Sequence, residues 1–324
     1  MNSSSERPGE FALIAELFAP LSKNAPGAFG LTDDAAIVAP PDGHELVITT
    51  DTLVESVHFL PDDPAASIAK KALRVNLSDL AAKGADAVGY LLALSLPPAK
   101  NMDWLRMFAS GLAEDQNAFG VSLYGGDTTL TPGPLTITIT AFGFVPRGAM
   151  IRRSGAKPGD LVFVSGTIGD AGGGLDVLRN STKDNDYLVS RYREPQPRLK
   201  LGQELREWVN ASIDVSDGLL ADLGHIAETS NVRIEVDANR IPLSPQLHAL
   251  WGEDCVVRAA TCGDDYEIAF VVPNNRPGLV KEIAKLRART SVTEIGRVVA
   301  GQGVALLDKS GREIPVPRRG FTHF

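Results

Sequence analysis

The chain has 324 residues, 44% hydrophobic and 22% charged, with a formal net charge of −8. That length admits one large domain or two ordinary ones, and the acidic balance argues against a nucleic-acid binder, which needs a basic face to displace counterions. The opening MNSSSERPGEF lacks the basic segment and apolar core of a signal peptide, no apolar run approaches the roughly 20 residues of a membrane span, and Cys255 and Cys262, without a zinc partner set, suit a reducing cytoplasm.

In chain order, residues 45–50 (ELVITT) are β-branched and predict a strand running into Asp51. Residues 65–83, alanine-rich and closed by Gly84, predict a helix. A second helix is expected over 104–119. Residues 134–145 (PLTITITAFGFV) alternate isoleucine with threonine, the pattern of a half-buried strand. Residues 146–160 are basic and rich in glycine and proline, a domain edge. After it come a strand at 161–165, a glycine-rich turn at 166–174 and a helix start near Leu175. A further helix follows Asp217, with Leu219, Leu220, Leu223, Ile226 and Ala227 on one face. Residues 266–272 (YEIAFVV) predict a buried strand. The order gives an α/β (α+β) chain of two domains, 1–149 and 150–324.

The acidic residues stand in short motifs at turn-like positions: Asp33-Asp34 in GLTDDAA, Asp51 in ITTDTLVE, Asp79 in VNLSDLAAKGA, Asp127 in YGGDTT, Asp214 and Asp217 in IDVSDG, and Asp264-Asp265 in CGDDYE. Hard cations want oxygen ligands, and Mg²⁺ typically combines one or two carboxylates with phosphate oxygens and water. Each motif alone also reads as a polar turn, and Asp217-Gly218 as a helix start. On the helix at 65–83, Ala72, Val75, Asn76 and Asp79 share one face by spacing, and two of those four are polar. A carboxylate buried there needs a partner, either a cation or a helix-to-loop hydrogen bond. There is no P-loop, protein-kinase signature, G-x-S-x-G elbow or H-E-x-x-H helix. The glycines of 166–174 read as a phosphate loop or, at least as well, as a structural turn. Of five histidines, His58 follows the Asp51 motif most closely.

Taken together, the motifs resemble the thiamine-monophosphate kinase family, within the wider superfamily of aminoimidazole-ribotide-synthetase-like ATP-binding proteins. The resemblance runs from GEFALI through DDAA, TTDTLVESVHF, KALRVNLSDLAAKGA, GGDTT, RRSGAKPGD, YREPQPRL, IDVSDGLLADLGHI and CGDDYE to GFTHF. It implies a first domain (1–149) that binds ATP and Mg²⁺ and pairs its mixed sheet with a twin in a homodimer barrel. A second α/β domain (150–324) would complete the nucleotide and substrate site. The implied reaction is phosphorylation of thiamine monophosphate by ATP to thiamine diphosphate, the final step in making that cofactor, in the cytoplasm and without nucleic-acid or membrane partners.

Residue by residue, the resemblance makes Asp34, Thr49, Thr50, Asp51, Asp79, Asp127, Asp214 and Asp217 the Mg²⁺ set, with Asp51 and Asp127 most critical. It assigns ATP contacts to Gly126, Asp127, Arg153 and Ser216, and acceptor contacts to His58, Asp264 and Phe321. Strands such as 134–145 would supply the dimer surface. The acceptor phosphate oxygen is already anionic at neutral pH, so no general base is expected. Direct in-line transfer without a phosphoenzyme, assisted by several Mg²⁺ ions, follows. The chain departs from the family twice. CGDDYE stands where GGEDYE is usual, which shortens the first acidic side chain by one methylene. The tail reads Arg318-Arg319-Gly320-Phe321, where an aromatic residue sometimes precedes the glycine. Rival readings are another enzyme of the superfamily, such as an aminoimidazole-ribotide or selenophosphate synthetase, a hydrogenase-maturation relative, and a non-catalytic nucleotide- or metal-binding module. The selenophosphate synthetases carry a reactive cysteine or selenocysteine near the N-terminus and the hydrogenase-maturation relatives a cysteine in the tail, and this sequence shows neither.

Overall fold

A computed structural model describes residues 9–180, 185–252 and 255–321. The opening segment 1–8 and the closing Thr322-His323-Phe324 lie outside the described residues. The chain forms two compact units, one of residues up to 80 with 86–148, the other of residues 81–85 with those from 149 onward.

After a single turn α1 (Glu10–Leu13), the first unit carries β1 (His44–Val54), α2 (Ala65–Ala82), β2 (Asp86–Leu96), α3 (Met102–Phe119), β3 (Ser122–Leu130) and β4 (Thr136–Pro146). The strand order is β1-β4-β2-β3. Only β2 and β3 run parallel, and α3 supplies the crossover such a pair requires. That helix starts two residues earlier than the apolar pattern indicates, because the Asn101 side chain caps Trp104 N–H, and it stops at Gly120, φ 71°. Residues 86–96 form a strand that composition alone did not reveal. Leu92, Leu94 and Leu96 are buried while Leu91 and Ala93 are exposed, which is the period-2 signature.

Leu73, Leu77 and Leu80 of α2 and Leu105, Phe108 and Leu112 of α3 are fully buried, as are Leu94, Ile137 and Ile139 of the sheet. The opposite sheet face carries Ile48 (60% exposed) and Leu91, with two hydroxyl pairs, Thr50–Thr140 at 3.1 Å and Thr52–Thr138 at 2.8 Å. The expected dimer strand, β4, lies between β1 and β2. Both its edges are hydrogen-bonded, so it offers a partner only this face.

Residues 147–160 hold no helix or strand. The second unit then runs β5 (Leu161–Ser165), α4 (Asp170–Asn180), α5 (Asp186–Arg193), α6 (Leu199–Leu205), β6 (Ala211–Asp214), α7 (Leu219–Ser230), β7 (Arg233–Asp237), α8 (Pro245–Trp251), α9 (Cys255–Thr261), β8 (Ile268–Val272), α10 (Pro277–Leu286), β9 (Val292–Val299) and β10 (Gly303–Leu307). Its sheet order is β10-β7-β9-β5-β8-β6. The unbroken apolar runs of β5 and β8 reflect burial on both faces. Val162 and Val164 join one core with Leu223 and Ile226, while Phe163 joins another with Phe270, Leu201 and Val280.

Two expectations need correction here. The strand expected from Tyr266 begins at Ile268, since Tyr266 has φ 50°. The expected glycine-rich turn is largely helix: α4 begins at Asp170, not near Leu175. Its three consecutive glycines are a packing device. A Cβ on Gly174 would lie 2.1 Å from Leu188 O, and one on Gly173 2.7 Å from Leu247 Cδ1. The cost of about 1 kcal/mol per helical glycine is offset by that close approach. No described helix is long and apolar enough to cross a membrane.

Candidate functional site

In the first unit, burial alternates along β1. Val47 and Leu53 are buried and Thr49 and Asp51 half-buried, while Ile48, Thr50 and Thr52 are exposed. Thr49 and Asp51 therefore face the side covered by α2, where Thr49 Oγ1 donates to Asp79 Oδ2 at 2.5 Å. One turn before Asp79, Asn76 is fully buried. Its Nδ2 donates to Ala72 O at 3.0 Å, and its Oδ1 has no hydrogen-bond partner, a deficit that typically costs about 1–3 kcal/mol. Thr50 points the other way and donates to Ile139 O at 3.2 Å.

Asp51 and Asp127 were expected at turns, yet each lies inside a strand. Asp51 registers through Ile139 and Leu92 to Gly126, and Thr52 through Thr138 and Ala93 to Asp127. Three inter-strand steps of about 4.8 Å separate the two edges along the sheet. Gly126 is required by closeness, since a Cβ there would fall 1.8 Å from Leu92 O.

Asp34 sits on an exposed loop closed by Ile37 N–H donating to Gly27 O at 2.8 Å. Phe29 (φ 50°) and Leu31 (φ 59°) hold left-handed backbone just before it, a strained geometry common at functional loops. His58 Nδ1 accepts Val54 N–H at 2.9 Å, so the neutral ring carries its proton on Nε2. Lys71, 2% exposed, donates to His58 O at 2.9 Å and braces this turn. The Thr49–Asp79 contact joins two oxygen donors, and Asp51 lies on the same face of β1 two residues on; oxygen donors are the ligand type a hard divalent cation takes.

In the second unit, buried Asp214 ends β6 and the turn 215–218 leads into α7. Backbone hydrogen bonds lace this turn to two distant segments. Asp264 N–H donates to Ser216 O and Tyr266 N–H to Val215 O, both at 2.8 Å, and Phe321 N–H donates to Asp217 O at 2.9 Å. Ser216, Asp217, Asp264 and Phe321 are thus brought together. Asp264 holds φ 71°, and the Arg318 guanidinium lies 6.0 Å from the Phe321 ring centroid. Arg153 stands at the opposite end of α7 from Asp217, where its carbonyl accepts from Ser230 Oγ at 3.5 Å.

Sequence reasoning missed Asp222. Its Oδ2 accepts the N–H groups of Ser216, Asp217 and Gly218 at 3.0–3.1 Å and so shapes the turn. Burial, reinforced by the charge of Asp217, pushes its carboxyl up to about 7. Its signal was a carboxylate three residues after Leu219 and four before Ile226, on the apolar face of a predicted helix.

The CGDDYE carboxylates have three different fates. Asp265 is fully buried and accepts Gly169 N–H at 2.7 Å and Ala171 N–H at 3.3 Å. Burial raises its carboxyl well above the usual range. Glu267, also fully buried, pairs with Arg191 at 2.8 Å and Arg198 at 2.5 Å, and accepts Ser165 Oγ–H at 2.5 Å. The YREPQPRL motif thus contributes Arg198 as a support for this segment. Asp264 alone of the three is not fully buried.

Two family descriptions match the chain: AIR synthase related protein, N-terminal domain, over residues 32–145, and the corresponding C-terminal domain over 157–309. The thiamine-monophosphate kinase of Caulobacter vibrioides is 44% identical over 98% of this chain and 91% of its own length. That of Escherichia coli K12 is 41% identical over 98% of both. Among solved structures, the thiamine-monophosphate kinase of Stenotrophomonas maltophilia superposes with a TM-score of 0.85 at 41% identity, covering 94% of this chain and 98% of that one. A structure described as AaThiL complexed with AMPPCP and TMP gives 0.78 at 31% identity, covering 99% and 100%.

Proposed function

The chain belongs to the thiamine-monophosphate kinase family, and from that premise we propose that it transfers a phosphoryl group from ATP to thiamine monophosphate, yielding thiamine diphosphate. One observation carries the chemistry: the hydrogen-bonded oxygen pair of Thr49 and Asp79 on the face of β1 that also bears Asp51, in a chain of net charge −8. Carboxylates there repel a polyphosphate unless divalent cations intervene. Bound Mg²⁺ would neutralise both phosphate groups and favour in-line transfer.

The chain's own residues divide the remaining work. Asp51 and Asp79 hold cations, and the Thr49 hydroxyl fixes the Asp79 carboxylate. Asp34 and Asp127 are further cation ligands of the first unit, Thr50 joins them only through its backbone carbonyl because its hydroxyl faces the other side of the sheet, and Asp214 and Asp217 are the ligands of the second. Gly126, Asp127, Ser216 and Arg153 serve ATP. His58 offers its Nε2–H as a donor to the acceptor, while Asp264 and the half-exposed Phe321 ring contact its thiamine part. No side chain need remove a proton, because the attacking oxygen is already anionic, and transfer proceeds without a covalent phosphoenzyme.

A homodimer in which two four-stranded sheets close into one barrel would cover the threonine face. It would also lay the β1 edge of one protomer beside the β3 edge of its partner. The two cysteines, both reduced, suit a cytoplasmic enzyme.

The test is ADP release by the purified full chain with ATP and either thiamine monophosphate or thiamine, with and without Mg²⁺. Turnover is expected only with thiamine monophosphate and Mg²⁺ together. Turnover with thiamine, or none with its monophosphate, overturns the assignment.

A further inference from the structure

We infer that Asn76 belongs to the cation site of the first unit, its Oδ1 accepting a hydrogen bond from a water bound to the cation held by Asp79 and Thr49. This rests on the cation reading above, and four observations lead to it.

Asn76 is 0% exposed, so bulk water does not satisfy its amide. Its orientation is fixed: Nδ2 donates to Ala72 O at 3.0 Å, and only the amide NH₂ can donate to a carbonyl, so the oxygen and nitrogen are not interchangeable. Its Oδ1 is left without a hydrogen-bond partner. Finally, Asn76 and Asp79 are three residues apart on α2, which makes them surface neighbours on the helix. Because helical side chains lean toward the N-terminus, the Asp79 carboxylate reaches back over the turn that carries Asn76.

The surrounding α2 side chains do not serve a buried acceptor. Ala72, Leu73, Val75, Leu77 and Leu80 are apolar and at most 1% exposed. A leucine at 76 would match that environment without the orphaned oxygen. The amide makes sense once a donor arrives with the ligand. Mg²⁺ dehydrates reluctantly and keeps several waters even when carboxylates hold it. Those waters are strong donors, and a buried carbonyl oxygen one helical turn from the ligating carboxylate would orient one of them. Asn76 is thus a positioning residue, acting through solvent on the cation.

The experiment is calorimetric titration of the full chain with Mg²⁺ in the presence of AMPPCP, for the wild type, Asn76→Leu and Asn76→Asp. Thermal unfolding of the metal-free proteins is followed in parallel. Asn76→Leu should weaken Mg²⁺ binding about tenfold or more, the usual effect of removing a group that orients a metal's surroundings, while its metal-free melting temperature stays equal or rises. Asn76→Asp keeps an acceptor oxygen but loses the donor to Ala72 O. It should retain Mg²⁺ affinity to within about threefold yet melt earlier. Unchanged Mg²⁺ affinity in Asn76→Leu overturns the inference. If that variant does not fold, loss of Mg²⁺ affinity in folded Asn76→Asp overturns it instead. Failure of the wild type to turn over thiamine monophosphate would strike the functional reading, while the Mg²⁺ titrations would still judge Asn76.

Discussion

Asp51 and Asp127 stand at opposite edges of one four-stranded sheet, with β4 and β2 between them and their registers offset by a single row. Both are proposed to act on the same polyphosphate, yet within one protomer they lie at opposite edges and, one row apart, on opposite faces of the sheet, so a shared site would take Asp51 from one protomer and Asp127 from its partner. Asp51→Asn and Asp127→Asn should each abolish turnover while leaving the fold intact. Mixed in equal amounts after unfolding and refolding, the two inactive chains should recover about a quarter of wild-type activity. Half of the dimers would be mixed, and each of those would hold one intact site. Recovery at background level would place both aspartates in a site built by one chain.

Asp222 makes stability depend on pH. Its carboxyl titrates at about 7 in the folded chain and near 3.9 when unfolded. Unfolding therefore releases a proton between those values, and the metal-free protein should lose stability as pH rises from about 4 to about 7, by at most about 4 kcal/mol. Below the lower value the contribution is fully present; above the upper one it is gone. Urea unfolding at several pH values should show this slope, and Asp222→Asn should flatten it.

Glu267 is locked between Arg191 and Arg198 with no exposure. Glu267→Gln leaves two guanidinium groups without their counter-charge, and loss of one partner of a buried ion pair costs about 3–5 kcal/mol. The urea midpoint should fall accordingly. A midpoint unchanged from wild type would mean that the arginines find other partners.

Asp264 allows a cleaner test of the acceptor side. Asparagine tolerates its left-handed backbone as well as aspartate does, so Asp264→Asn removes charge without straining the turn. The KM for thiamine monophosphate should rise about tenfold while that for ATP moves less than about twofold. Equal changes in both would point to a distorted turn at Ser216.

Much of the fold could be read from the sequence because helices with one apolar face and alternating strands announce themselves. The helix at 65–83 and the strands at 161–165 and 266–272 fall within a few residues of α2, β5 and β8. Tertiary packing hid the rest. The glycines of 172–174 look like a loop by propensity and are helical because α5 and α8 press against them. Asp127 looks like a loop residue after two glycines, yet those glycines serve close strand approach. The pairing of Thr49 with Asp79 spans 30 positions, and the clasp of Phe321 on Asp217 spans a third of the chain. Local pattern carries neither. The polar face of α2 was visible from spacing alone, but the orphaned oxygen on it required coordinates.

The segment from Cys262 to Glu267 also says something about mutational latitude. Its acidic residues look interchangeable on paper, but one caps a helix from inside the protein, one anchors two arginines, and one stands at the rim on unusual backbone. A deep mutational scan should therefore find three different filters within four codons: 264 folds with the few residues that accept left-handed backbone but loses acceptor affinity, while 265 and 267 are closed to folding itself.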